Sequence, residues 1–173
     1  MGDSLATRTG THDRRNGRRR RQSQAENGRG ISARVDLGGL DQLAGYLICR
    51  AQVGVLQELK RLFGPFGITP MQFSVLKVIQ ANPGISQARV AEVLYIETSR
   101  MVQKVDRLEV RQLVERRRSD SDRRAHELHL TPAGGDLLAE LMPLVEAHER
   151  VMAERIGQKA MADIVESLRA IVT

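Results

Sequence analysis

The chain has 173 residues, enough for one domain with a sizeable core and short for two independent ones. It carries 27 Lys and Arg against 21 Asp and Glu, a net charge of +6 that points to a polyanionic partner. Its single cysteine, Cys49, excludes an intrachain disulfide, and no stretch resembles a signal region or a membrane span of about twenty apolar residues, so the expected setting is the cytoplasm, away from any membrane.

The charge is concentrated at one end. Residues 1–36 hold nine Arg and four acids, whereas the rest is nearly balanced. This tail is almost empty of large apolar groups, cannot bury enough surface to offset its ordering entropy, and is expected to be disordered. Its densest run, Arg18 to Arg21, could grip phosphates or could be a solvated extension.

From Leu40 the pattern becomes helical. Leu40, Leu43, Leu47, Ala51, Val55, Leu59 and Leu62 recur at threes and fours, which predicts one long amphipathic helix over about 38–63. Gly64, Pro65 and Gly67 break it. Thr69-Pro70-Met71-Gln72 then supplies a cap, a first-turn proline and a Gln three residues after the cap, starting a second helix that ends at Asn82-Pro83-Gly84. Ser86 caps a short third helix through Leu94, and after Tyr95-Ile96-Glu97 a fourth begins with Thr98 or Ser99 as cap and Met101, Val105 and Leu108 on its buried face. Two short helices joined so tightly form a helix-turn-helix, whose second member can enter a major groove. Beyond Arg111 the period shifts to two, and Val114–Arg118 and Ala125–Leu130 read as a hairpin around the polar turn Ser119–Asp122. Thr131-Pro132 caps a final helical stretch running nearly to the end. The fold class is therefore mainly α with a small β-hairpin wing: a winged helix-turn-helix over about 69–130 inside a domain of 37–173.

Within this frame, Val105–Glu109 (VDRLE), Leu113–Arg117 (LVERR), Asp122–Arg124 (DRR) and Leu130–Gly134 (LTPAG) stand in the order and spacing of the MarR family of bacterial regulators, which the chain resembles over roughly residues 40–173. Lys104 stands where that family usually has an apolar residue, and Gln112 where it commonly has Gly. The resemblance implies a homodimer whose helices over about 38–63 and 131–172 interlock, with two winged lobes facing one duplex. The apolar stripes of the first and last helices, too long for one small lobe to cover, agree independently. Two-fold symmetry then predicts a pseudo-palindromic operator with half-sites roughly 10 bp apart.

Thr98, Ser99, Arg100 and Gln103, exposed at the start of the fourth helix, have the chemistry for base readout: Arg for a guanine edge, Gln for an adenine. Lys104, Arg107 and Arg111 lie where phosphate contact is expected. The competing view for each is a solvated surface charge. The family pattern implies that Arg123 or Arg124 enters a minor groove while Asp122 orients an arginine.

An enzyme reading finds no support. His12, His126, His129 and His148 have no metal-ligand spacing with cysteines or paired acids, and Gly134-Gly135 lies at a helix start, so no catalytic, metal or cofactor site is expected. Relatives in the family commonly answer to small anionic or aromatic compounds, which implies an effector site near Tyr46, Arg50, Met71 and Phe73, with aromatic acids or their coenzyme A thioesters as the class. Intersubunit pairing is the alternative for Arg50, and core packing for Met71 and Phe73. Some relatives sense peroxide through a cysteine in the first helix, a position that falls on Gly45 here and leaves Cys49 about one turn away. Two readings thus compete with a ligand-released repressor: a redox-sensing regulator, and an architectural protein that coats DNA through its tail.

Overall fold

In the computed structural model, residues 35–118 and 126–172 are described. The arginine-rich tail up to residue 34 and the hairpin tip at 119–125 lie outside them, and with the tip Asp122, Arg123 and Arg124.

Up to Leu47 the described chain is a turn and a helix start. Gly38 and Gly39 both take positive φ (58° and 85°), and the Asp36 carboxylate accepts from the Gly38 N–H at 2.9 Å. A single 3-10 turn, Leu40–Gln42, follows. Its closing bond, Leu43 N–H to Leu40 C=O at 3.1 Å, leaves Leu43 extended, and helix α1 starts only at Ala44. The periodicity from Leu40 thus ran ahead of the helix, because a 3-10 turn repeats apolar residues at three much as an α-helix does.

From Ile48 onward, α1 continues to Phe63 and is stopped by a 3-10 turn, Gly64–Phe66, that ends on left-handed Gly67. Helix α2 (Pro70–Ala81) opens on the expected capping box: Thr69 Oγ1 accepts from Gln72 N–H at 3.2 Å, and Gln72 Oε1 from Thr69 N–H at 3.0 Å. Helix α3 (Gln87–Val93) is capped by Ser86, as its sequence predicts. Helix α4 (Thr98–Val110) departs from expectation at its start, since Glu97 holds the cap position without a side-chain cap bond and Thr98 and Ser99 lie inside the first turn.

Strands β2 (Val114–Arg118) and β3 (His126–Leu130) pair antiparallel from Val114 opposite Leu130 to Arg118 opposite His126. The hairpin is joined by a strand that the periodicity does not reveal, β1 (Ile85–Ser86), which pairs with Leu128 and Glu127 and gives the order β1-β3-β2. Two residues are too short for an alternation to register. The final helical stretch is also two helices, α5 (Pro132–Ile156) and α6 (Gln158–Val172), divided at Gly157, where φ is 92°.

One core holds the lobe together. Phe63, Val75, Leu76, Ile79, Val90, Met101, Val105, Leu108, Val114, Leu128, Leu138 and Leu141 are fully buried, drawn from α1 to α5 and the hairpin. Each such side chain contributes about 1.5–3 kcal/mol relative to exposure. In contrast α6 buries no residue and presents Ile164, Leu168 and Ile171 to solvent, while α1 exposes Val53 and Leu56.

The turn from α4 into β2 carries a testable strain. Gln112 has φ 56°, a left-handed conformation that a Cβ disfavours by about 1–2 kcal/mol. Glycine relieves this and loses about 0.5–1 kcal/mol through its freer unfolded chain. Gln112→Gly is therefore expected to raise thermal stability slightly, by up to about 1 kcal/mol, in a melting comparison; a fall in Tm would mean that the side chain itself contributes.

Candidate nucleic-acid interface

The helix-turn-helix is set by backbone geometry at its turn. Tyr95 takes φ 51°, and Ile96 N–H donates to Ala91 C=O at 2.9 Å, reversing the chain between α3 and α4. Met101, Val105 and Leu108 anchor α4 in the core, so Ser99, Gln103 and Arg107, spaced at four, form a stripe on its outer side. All three are exposed, as are Thr98 and Arg100, whereas Lys104 is half-buried. Ser99 and Gln103 thus share one accessible face of α4, while Thr98 and Arg100 are exposed on either side of it in the first turn.

Arg111 is different. Its guanidinium donates to Gly67 C=O at 2.6 Å and to Phe66 C=O at 2.9 Å, satisfying carbonyls at the end of the 3-10 turn. It ties the end of α4 to the α1–α2 connection while remaining exposed.

Arg116, a strand residue by its period, joins three elements. From β2 it donates to Asp106 at 2.6 Å and to Glu109, both on α4, and to Gln87 of α3 at 3.0 Å, with only 21% of its side chain exposed. One guanidinium fork therefore ties the hairpin to α3 and α4. A signal was present: Asp106 and Glu109 lie three apart on one helix face, with an arginine in the next strand. Arg117 and Arg118, exposed at the outer end of β2, are the described cations nearest the hairpin tip.

Glu97, in the turn between α3 and α4, holds the cap position of α4. Its carboxylate accepts from Ser99 Oγ at 2.8 Å and lies 3.7 Å from Arg100 Nε.

Of the residues expected near an effector, Phe73 packs on Phe63 with ring centroids 5.0 Å apart, a core role. Met71 is half-buried in the first turn of α2, Arg50 is exposed on α1, and Tyr46 is half-buried. A cleft of about 490 Å³ lies elsewhere, between α1 and α5, with Leu62, Leu144, Ala147 and Val151 as its apolar lining and Arg61 and Arg155 as cations. In its wall the buried His148 bonds Glu58 through Nε2 at 2.9 Å, joining the two helices. Cys49 is exposed. Among the described residues no group of three or more His, Cys, Asp or Glu could hold a metal ion, and no single helix is long and apolar enough to cross a membrane.

Comparison with known proteins agrees with this geometry. The model of the MarR family matches residues 66–125. A structure of the transcriptional repressor CouR bound to a 23-mer DNA duplex is 37% identical with a TM-score of 0.78, covering 82% of this chain and all of that one. A CouR structure bound to p-coumaroyl-CoA is 35% identical with a TM-score of 0.74, covering 80% and 97%. A protein of Thauera aromatica, assigned to transcriptional regulation of the hcr operon, is 29% identical over 147 residues, or 82% of this chain and 89% of its own length.

Proposed function

The chain belongs to the MarR family of transcriptional regulators, and from that premise we propose that it is a cytoplasmic repressor, not an enzyme, that binds a pseudo-palindromic operator as a homodimer and leaves it on binding an aromatic acid or its coenzyme A thioester. The observation that carries the DNA reading is the exposed stripe of α4 beside a braced hairpin. Thr98, Ser99, Arg100 and Gln103 read base edges, Arg107 and Lys104 meet phosphates, and Arg123 or Arg124, oriented by Asp122, enters the flanking minor groove. The winged lobe spans about 69–130. The segments over about 38–63 and 131–172 form the dimer, burying the apolar side chains that α6 presents to solvent.

The effector reading draws on the relatives, one held on DNA and one with p-coumaroyl-CoA. In this chain Arg61 and Arg155 of the α1–α5 cleft offer charge for an acidic ligand above an apolar lining suited to an aromatic body. Tyr46, Arg50 and Met71 keep the ligand role that the family resemblance implies.

Footprinting on the DNA upstream of the protein's own and neighbouring genes, at near-physiological salt with excess competitor, tests both halves. The expected result is a protected two-fold site, weakened specifically by Arg100→Ala and released by added p-coumaroyl-CoA. Uniform salt-labile coating, lost when residues 1–36 are removed, would support an architectural role instead. A specific footprint that p-coumaroyl-CoA leaves intact would retain the regulator and discard this effector class.

A further inference from the structure

Among the residues at the start of α4, Glu97 is the one whose charge is wrong for a surface that meets phosphates. It stands at the cap position with its side chain 69% exposed. A carboxylate there repels the backbone of any duplex that approaches, whatever its sequence. A side-chain cap bond does not account for it, since none is made, and the helix macrodipole favours an exposed carboxylate there only modestly.

Its two oxygens are divided between neighbours. Oε1 accepts from Ser99 Oγ at 2.8 Å, and Oε2 faces Arg100 Nε at 3.7 Å. The hydroxyl bond orients the carboxylate, and the contact at Nε engages the inner edge of the guanidinium. Glu97 thus leaves the two terminal nitrogens unengaged, and their edge can form a bidentate pair with guanine O6 and N7.

We propose that Glu97 is a specificity-determining residue: a positioning group that holds Arg100 with its terminal edge toward a guanine and penalises approach to DNA that offers none. This rests on the reading of α4 as the base-reading helix. In free solution an exposed pair of this kind is worth little. At the interface water is excluded, the carboxylate is tolerated only while Arg100 neutralises it, and Arg100 in turn must find its base. Specificity then comes from both sides, a correctly aimed donor for the right site and an uncompensated charge against the wrong ones.

The test measures affinities by fluorescence anisotropy for the footprinted operator, for duplexes in which each half-site base pair is changed in turn, and for non-specific DNA. The proteins are wild type, Glu97→Ala, Glu97→Gln, Arg100→Ala and the double alanine variant. Wild type is expected to discriminate at one G·C position by roughly ten- to a hundredfold. In Glu97→Ala that discrimination is expected to fall to a few-fold at the same position that Arg100→Ala abolishes, while non-specific binding tightens. Glu97→Gln is expected to tighten non-specific binding in the same way. The double variant is expected to discriminate no worse than Arg100→Ala, because the two residues act as one unit. Melting temperature is expected to fall by no more than a few degrees, and by the same amount in Glu97→Ala and Glu97→Gln, since both lose only the macrodipole contribution of an exposed acid at a helix N-terminus, which separates positioning from folding.

Undiminished discrimination in Glu97→Ala, or additive losses in the double variant, would overturn the proposal. So would a loss confined to a different position, which would make Glu97 a base reader in its own right. A wild type without preference at any base would instead remove the reading of α4 on which the proposal rests.

Discussion

Gly134→Ala is expected to lower stability by about 3 kcal/mol, on the order of 10 °C in Tm, although it adds one methyl group in a helix. A Cβ built at Gly134 lies 2.1 Å from the Leu113 carbonyl oxygen and 2.9 Å from Leu130 Cδ1. The first neighbour is backbone and cannot rotate away. It is also held in place, since the Leu113 carbonyl accepts from Thr131 N–H at 3.2 Å and Thr131 Oγ1 donates to the Gln112 carbonyl at 2.6 Å. The same Thr131 hydroxyl caps α5 by accepting from Gly134 N–H at 3.0 Å. Accommodating the methyl therefore means prising the start of α5 from the α4–β2 turn. Gly135 is the internal control, with nothing within 4 Å of its Cβ position. Gly135→Ala is expected to be neutral or stabilising by up to about 1 kcal/mol, as for a helix glycine whose Cβ position is open. Thermal melts of the two variants side by side decide the matter, and equal Tm values would refute the steric account.

Arg116→Ala is expected to reduce operator affinity by roughly ten- to a hundredfold, equivalent to losing a contact of about 1–3 kcal/mol, with a much smaller effect on folding. The two effects part because of where the partners sit. Asp106 and Glu109 have side chains 52% and 40% exposed, so water can solvate them once the arginine is gone, and the thermal penalty stays modest. DNA binding has no such remedy. The recognition helix and the wing must meet two grooves at once, and Arg116 is the group that bonds β2 to both α4 and α3. Two unpaired carboxylates would also be left on the helix that faces phosphates. Arg116→Lys is expected to recover only part of the loss, because a single ammonium cannot reproduce a fork that serves three partners. Anisotropy titrations paired with melts test this. Full operator affinity in Arg116→Ala would mean that the wing angle is set by the core alone.

Several features of the lobe could be read directly along the chain. The caps at Thr69, Ser86 and Thr131 were legible because an N-cap is a contact between residues three apart, and all three side chains accept the expected N–H. The buried face of α4 was legible for the same reason. The start of α1 and the division at Gly157 were not, since a 3-10 turn and a one-residue break leave the apolar period almost undisturbed. For the site, the exposed stripe followed from helical spacing, but which cations are tied within the lobe did not. Arg111 and Arg116 look alike in sequence to Arg107, yet the first serves carbonyls 44 and 45 residues away and the second a glutamine 29 residues away.

What the sequence by itself determined is the order of helices and hairpin, their caps and their apolar faces, because those depend on residues within one or two turns of each other. Only the tertiary structure decided that Ile85 pairs with Leu128, that Gly134 must lack a side chain beneath Leu113, and that one arginine braces the wing while another closes a turn. Each of these joins segments that the chain separates by many residues, and a local pattern carries no record of which distant group will arrive beside it.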